Sequence, residues 1–516
     1  MKKRLMLLLA ATVFIFSMLI GCAGDGNVAP AAPQGQGAGN QPAAAPATPA
    51  APGEYPTLSL MMIQGRHSPD VRMVEERLSE LTRERGGFNV ELIIIEIGNW
   101  GPQTNLLLAA GDDTLDVFMG GYAVPYATLI TNGQVMPLDD LLAPYEAAIR
   151  AAISDQVFDS GRVEGVLFGV GRHLDLASRP ILNLRADIAT QLGLDNSHVV
   201  GGLEGVTEIF RRIREIEPDL PIIGPMNGAV NLGDARFDSL GNRNMLGVLG
   251  NFGQNTTVES YFHSAEFTSR IAEIEKWRDM NAFMPDFMNV IDTPDIYMPA
   301  GRALGNFAAS FDTEVNARWS TNNFGVEMVS MFIWEDSVAV TPGMFYCINP
   351  NTRNPELAAR LIYLMATDRE IVHMLTLGIE GVHWQLADDG SAIWADGENP
   401  ANPGWTQGFS WTMLNSHIST PFNMPPDTFD RMGAANRAAT FSNAFGLTFD
   451  MFDVADAVSA STNAVMQFRQ ALESGSAPDM WGMLETFRDA LSSAGIDEIV
   501  AHQQAQLDAH MARSGR

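Results

Sequence analysis

Cys22 closes the run Leu19-Ile20-Gly21-Cys22, in which a small residue stands immediately before a thiol. A thiol in that setting can take up diacylglycerol as a thioether, after which cleavage makes the cysteine a new N-terminus. Lys2, Lys3 and Arg4 supply a basic region ahead of it, and the stretch from Leu5 to Ile20 supplies an apolar one, the layout of an export signal. Plainer accounts are an ordinary secretory signal, or a membrane helix that contains a cysteine. A spanning helix wants about 20 apolar residues, whereas this run is shorter and gives way at once to polar, Pro-rich chain. The spacing predicts a signal peptide over 1–21 and a lipidated Cys22 that tethers the mature chain to the outer face of a cytoplasmic membrane.

The remaining chemistry-bearing residues form no recognisable reaction centre. The chain has no G-x-S-x-G, no H-E-x-x-H and no phosphate-cradling glycine loop with its lysine. Lys276 is the only lysine beyond the signal, so any Schiff-base chemistry would rest on it. The nine histidines are scattered, without metal-ligand spacing. Cys347 is the only other cysteine, which leaves no intrachain disulfide once Cys22 is modified and no cysteine-based zinc site. Asp112-Asp113, Asp139-Asp140 and Asp388-Asp389 raise glycoside cleavage as an option. That reaction needs two carboxyls about 5–10 Å apart across a bond, and adjacent pairs usually mark turns or solvated ends.

Charge narrows the partners. The formal charge is -29, without the basic footprint that nucleic acid or anionic lipid headgroups require. The acidity reads as a solubility device in an exposed compartment, with an acidic site for a cationic ligand as the other option. From Ala23 to Pro56 the chain is almost entirely Ala, Pro, Gly, Gln and Asn, too polar to offset its ordering entropy. Residues 22–56 therefore act as a lipid-bearing leash spanning on the order of 30 Å as a flexible coil.

The body from Thr57 onward alternates strand and helix signals. Leu58 to Ile63 is a short strand. Ser68-Pro69-Asp70 opens a helix, with Ser68 as its cap, Val71, Val74, Leu78 and Leu81 on one face, and Gly86-Gly87 as its end. The nearly continuous apolar run Val90–Ile97 suits a strand covered on both faces. A helix at 103–110 and a strand at 115–119 complete β-α-β-α-β, a doubly wound α/β pattern whose ligands bind beyond the strands' carboxyl ends. Those loops carry Gln64–His67, Gly98–Gly101 and Gly120–Tyr126. A second unit starts after Arg172-His173, with strands at 181–184 and 220–223 and helices at 185–192, 204–217 and 264–281. Asn354-Pro355-Glu356 opens a further helix, and three more occupy 454–472, 480–492 and 497–512.

The order of motifs resembles the extracellular solute-binding proteins of family 1. The resemblance runs from Trp100 through Asn105-Leu106-Leu107-Leu108-Ala109-Ala110-Gly111-Asp112-Asp113 to Asp116-Val117, then Pro137-Leu138-Asp139-Asp140-Leu141-Leu142. It continues in Gly165–Val170, Leu182–Asp187 with Leu192-Gly193-Leu194, and Asn354-Pro355-Glu356-Leu357-Ala358. Gly378-Ile379-Glu380-Gly381-Val382-His383-Trp384 is similar to a motif of an LplA-type subgroup of lipoproteins with a C-terminal domain of unknown function. The family's arginine-lysine-aspartate is Arg185-Ala186-Asp187 here, and its motif lysine is Val382, so substrate range does not transfer.

The resemblance implies an α/β, type II periplasmic-binding fold: two α/β lobes around a ligand cleft, with a helical C-terminal segment. Its expected divisions are an N-lobe at 57–177 with a return near 338–366, a C-lobe at 178–337, and a C-terminal domain at 367–516 packing on the lobes. Hinge crossings are expected near 178–181 and 338–345. The implied function is capture of a small solute, an oligosaccharide first of all, for an ABC importer, with no catalysis and no cofactor or metal. The implied partners are the ligand, two permease subunits and the membrane through Cys22, for a monomer. A surface hydrolase or lyase, and a ligand-sensing lipoprotein or adhesin, are the competing readings. Sugars offer apolar ring faces and hydroxyl edges, so the candidate cleft residues are loop aromatics with polar neighbours: Trp100, Tyr122, Tyr126, Trp319 and Trp411. Arg172 and His173, with Asp175 beside them, could grip hydroxyls or a carboxylate, or form an inter-lobe salt bridge. Glu380 and His383 could meet ligand or dock a domain.

Overall fold

The computed structural model describes residues 55–514, apart from 65–66, 97–98, 112, 123, 227–228, 234–235, 242–243, 291, 400–401 and 406–410. The signal, Cys22 and the leash to residue 54 lie outside the described residues.

Strand β1 (Thr57–Gln64) is buried at every residue after its first, as its apolar run requires. Helix α1 (Val71–Gly86) turns Val74, Leu78 and Leu81 inward, and Gly87 ends it in the left-handed region at φ 78°, where a glycine is at ease. Ser68 is not the cap: Asp70 occupies that position without a side-chain capping bond, while the Ser68 hydroxyl accepts from the Gln64 amide at the end of β1. Strand β2 (Asn89–Glu96) lies parallel to β1, with Thr57 opposite Asn89 and Gln64 opposite Glu96. Helix α2 (Trp100–Ala110) starts three residues earlier than its periodicity suggests, and β3 (Val117–Gly120) runs parallel to β1 on its other side. Buried Asp116 is satisfied by the N–H of Ser59 at 2.8 Å, which ties the two strands together. Four short helices follow: α3 (Tyr126–Thr131), α4 (Asp139–Leu142), α5 (Glu146–Ile153) and α6 (Asp155–Asp159). A hairpin of β4 (Arg162–Val163) and β5 (Val166–Leu167) leads to β6 (Val170–Gly171), the edge of the same sheet.

Between β6 and β7 (Arg179–Arg185) the chain leaves this sheet and starts a second. Helices α7 (Ala186–Gln191), α8 (Leu203–Ile216), α9 (Ala265–Asp279) and α10 (Pro294–Tyr297) precede β8 (Gly305–Ser310), α11 (Thr313–Phe324) and β9 (Met328–Phe332). Strand β7 is central, antiparallel to both β8 and β9. The strand expected at 220–223 is absent; Ile223 makes only isolated bridges, to Phe283 and Gly305. Pro218 and Pro221 lack the N–H groups that a ladder there would need. Trp277, Phe210 and Phe307 centre a second core, distinct from the first.

After β10 (Val338–Ala339) the chain returns through β11 (Phe345–Ile348), antiparallel to β3 and β6, for a sheet order of β2-β1-β3-β11-β6. Helices α12 (Pro355–Thr367) and α13 (Arg369–Leu377) bury Leu361, Ile362, Ile371 and Leu375 in the first core. The hairpin β12 (Trp384–Leu386) and β13 (Ala392–Trp394) follows, then α14 (Thr428–Ala438), and β14 (Thr440–Phe441) pairs with β10. Finally α15 (Ala455–Glu473), α16 (Met480–Ser493) and α17 (Ile496–Ser514) place Leu472, Leu484, Phe487 and Ile499 in the second core. The stretch from 367 onward is thus shared between the two cores, and the chain passes from one to the other three times.

Candidate functional site

The carboxyl end of β3 builds the first wall. Gly121 sits at φ 92°, and a Cβ there would lie 2.3 Å from the Gly343 carbonyl oxygen, so only glycine lets this exit press against the chain returning to β11. Tyr122 follows at once, its ring centroid 5.7 Å from that of Trp411 at a tilt of 54°. The Trp411 carbonyl accepts from Arg172 Nη1, whose own backbone N–H donates to Met344 O at 3.1 Å. Tyr346 donates its hydroxyl to Thr412 O at 3.1 Å, and His173 N–H donates to Leu414 O at 2.7 Å. Asn436 brackets the neighbouring backbone, accepting from Leu176 N–H at 2.8 Å and donating to Leu174 O at 2.6 Å. The segment 411–417 is therefore laid along 172–174, where the chain leaves the first sheet. Four of the nine candidates, Tyr122, Arg172, His173 and Trp411, come together here.

Trp411 joins the two halves of the molecule. It packs against the first core and also against a small cluster of Leu174, Phe311, Val315, Phe429 and Met432. Phe311 and Val315 come from the end of β8 and the start of α11 in the second lobe. Polar ties reinforce the junction: Arg431 bonds Asp312 at 2.7 Å and Glu314 at 2.9 Å, and Arg318 bonds Asp389 at 2.6 Å. Helix α11 is itself anchored by a buried amide and hydroxyl network, in which Asn183 Oδ1 accepts from Asn316 Nδ2 at 2.8 Å and from the Ser330 hydroxyl at 2.7 Å.

The other candidates sit elsewhere. Trp100 is 1% exposed in the first core. Tyr126 is buried, donates to Gly161 O at 2.8 Å and stacks on Phe345 at 4.1 Å. Both are packing side chains. Trp319 lies on α11 instead of in a loop; it is 39% exposed, edge-on to Phe324. Glu380 is exposed in the turn before β12. His383 is fully buried: Nδ1 accepts from Ile379 N–H at 2.9 Å, so Nε2 carries the proton and faces Asp70 Oδ2 at 3.3 Å. A Cβ on Gly378 would stand 2.5 Å from that ring, and one on Gly404 would stand 2.2 Å from Asp70 Oδ2. The Gly378–Trp384 motif is therefore a clasp that fastens the end of α13 to the start of α1.

Sequence reasoning missed Asn415, Asn436, Phe311 and Arg431. Asn183 carried a signal, an amide inside the apolar run Ile181–Leu184 that must find buried partners. Among the described residues, no group of three His, Cys, Asp or Glu side chains gathers as a metal site.

Burial sets the local charge states. It raises the Asp175 carboxyl, against the opposing pull of the Arg172 guanidinium and the Ser178 hydroxyl. His173 stacks on His417 at 4.0 Å and 13°; burial lowers His173 to about 4, and burial with the neighbouring His173 lowers His417 to about 3. Unfolding releases both imidazoles to titrate near 6.5. The unfolded chain then binds more protons below that value, so the stability held by the neutral pair is complete above it and drains as pH falls toward about 4. The urea midpoint is expected to fall over that window, and to fall less in His417→Phe, which keeps a ring between His173 and Phe429. Parallel slopes in the two proteins would contradict the assignment.

Two sheets joined by three crossings, with an aromatic and polar junction between them, define the class: the two-lobed, type II fold of extracellular solute-binding proteins, with a helical C-terminal segment. Residues 443–512 match a family model described as Domain of unknown function (DUF3502). A carbohydrate ABC transporter substrate-binding protein of Streptococcus pneumoniae serotype 4 is 19% identical over 468 residues, covering 88% of this chain and 91% of that protein. The N-glycan transport solute binding protein NgtS of Streptococcus pneumoniae superposes with a TM-score of 0.76 at 17% identity, covering 89% of this chain and 100% of that one. FusA of S. pneumoniae, an ABC-transporter substrate binding protein solved with kestose, gives a TM-score of 0.59 at 13% identity over the same shares. These likenesses establish the fold and agree with the motif resemblance.

Proposed function

We propose that this chain is the extracellular, lipid-anchored substrate-binding protein of an ABC importer, capturing an oligosaccharide between its lobes by hinge closure and passing it to two permease subunits. The observation that carries the reading is the position of Trp411, which touches Tyr122 on one lobe and the Phe311–Val315 cluster on the other. An aromatic face at such a junction can meet an apolar sugar face, while the groups around it meet hydroxyls. Closure then adds affinity equal to the ligand's preference for the closed state. The carbohydrate class is supported by the names of the relatives. The acyl chain on Cys22 would hold the protein beside its permease, and the leash would let a monomer reach it. The protein binds and releases its ligand unchanged, with no cofactor.

Thermal unfolding of residues 23–516 against a panel of oligosaccharides, with each sugar recovered and chromatographed, tests this. Ligand at 100 times its dissociation constant should add about 2.7 kcal/mol, visible as a saturable rise in Tm with the sugar intact. Shortened sugar would replace the reading with a hydrolase or lyase; no shift with any sugar would remove the carbohydrate assignment.

A further inference from the structure

A concavity of about 490 Å³, sharing no lining residue with the Trp411 junction, lies between the second-lobe loop 229–233, residue 244 and helix α15. Its size falls within the roughly 300–1,000 Å³ of small-molecule pockets. Val465, Met466, Arg469, Gln470 and Glu473 line it from α15, the spacing of one helical face. That helix lies within the stretch matched to the domain of unknown function.

The walls are cross-tied at their base. Arg270, 1% exposed, donates to Leu232 O at 2.6 Å, Gly233 O at 2.9 Å and Glu473 Oε1 at 3.3 Å. Glu473 Oε2 also accepts from Arg469 Nε at 3.1 Å, and Asn244 Nδ2 donates to Thr462 Oγ1 at 3.1 Å. One buried guanidinium thus fixes loop 229–233 against α15, so the cavity is formed before any ligand arrives. Asn231 and Met245, at φ 57° and 55°, flank it in the left-handed region that side chains other than glycine seldom adopt. Val230, Leu232 and Val465 give an apolar floor, buried to within 4% exposure. Asn231 and Gln470 bring amides to it, and the carboxylate and guanidinium of Glu473 and Arg469 are turned toward one another.

We propose that this cavity is a second ligand site, separate from the inter-lobe junction, for a neutral hydroxyl-bearing molecule of one or two sugar rings. An apolar floor suits a ring face, and amides suit hydroxyl edges. The charges at the base are compensated within the protein, which disfavours a strongly ionic ligand. The site gives α15 a binding role of its own, and it stands whether or not the junction binds an oligosaccharide.

The test uses residues 23–516 with ¹³C-methyl methionine, the Met466 signal being assigned from Met466→Leu and the Met245 signal from Met245→Leu. Mannose, N-acetylglucosamine and maltose are titrated singly to millimolar concentration. The expected result is a saturable shift of the Met466 and Met245 methyls with at least one sugar. It should disappear in Val465→Trp, which fills the floor, and in the surface variant Gln470→Trp, which narrows the mouth without touching the core. It should persist in Trp411→Ala, which alters only the junction. No shift with any of the three sugars, or a shift abolished by Trp411→Ala and kept in Gln470→Trp, would overturn the proposal. Calorimetry of an oligosaccharide on Gln470→Trp reads the junction separately, so failure of one site leaves the other measurable.

Discussion

Trp411→Ala is expected to weaken oligosaccharide binding about 30-fold, from the roughly 2 kcal/mol that a buried aromatic anchor contributes. Among the described residues, the indole is the one side chain placed against both the first core and the Phe311–Val315 cluster. The backbone carbonyl that accepts from Arg172 survives the substitution, so the course of the segment beside 172–174 is retained. Affinity should therefore fall much more than Tm does. Tyr126→Phe is the matched control. It removes a buried hydroxyl that donates to Gly161 O, so it should lower stability by about 1 kcal/mol and leave affinity unchanged. Isothermal titration on both variants separates the two effects. Wild-type affinity in Trp411→Ala would remove Trp411 from the binding surface.

Trp277→Ala should have the largest effect on stability, about 3–5 kcal/mol. The side chain is fully buried in the second core, and Nε1 donates to Thr207 Oγ1 at 2.7 Å. Its ring lies 5.3 Å from that of Phe210 and 5.7 Å from that of Phe307. Thr207 also donates to Glu273 at 2.5 Å, so the loss unsettles a small buried network as well as leaving a cavity. Because the first core is separate, urea unfolding should split, the second lobe melting early while the first keeps its midpoint near that of the wild type. Ligand binding should disappear with the early transition, since half the site has gone. A single transition displaced by less than about 1 kcal/mol would contradict the division into two cores.

Strong local patterns were readable in the chain before folding. The largely apolar run at 90–96 with isoleucines at 93–95, the Asn354-Pro355 helix start and the Gly86-Gly87 stop each depend on neighbours in sequence, and each appears as a strand, a helix start or a helix stop at that place. Trp319 shows where local reasoning fails. Its surroundings are rich in Asn, Ser and Thr, poor helix formers that suggest a loop. Tertiary bonds reverse that preference: Asp312 caps α11 by accepting from Val315 N–H at 3.0 Å, and Asn316 spends its amide on Asn183 and Ser330. Trp100 misleads in the opposite way, since a tryptophan just after a strand and beside glycine looks like a loop aromatic but opens α2 facing inward. In the candidate site, aromatic type was a usable guide for Tyr122 and Trp411. Asn415 and Asn436 had no signal, because their amides bond backbone far off in sequence, Asn415 to Ala366 O at 2.8 Å and to Ala152 O at 3.4 Å. Asn436, for example, reaches Leu174 across 262 positions. Such contacts exist only once the chain has made its second crossing, back to the first sheet.

Closure of the two lobes on a sugar is the centre of the account, and small-angle X-ray scattering of residues 23–516 with and without a saturating oligosaccharide tests it most directly. The account predicts a smaller radius of gyration and a shorter maximum dimension on binding, reversed when the sugar is dialysed away and absent in Trp411→Ala at the same sugar concentration. Saturated binding, verified by calorimetry on the same sample, with scattering curves that superimpose would contradict capture by hinge closure.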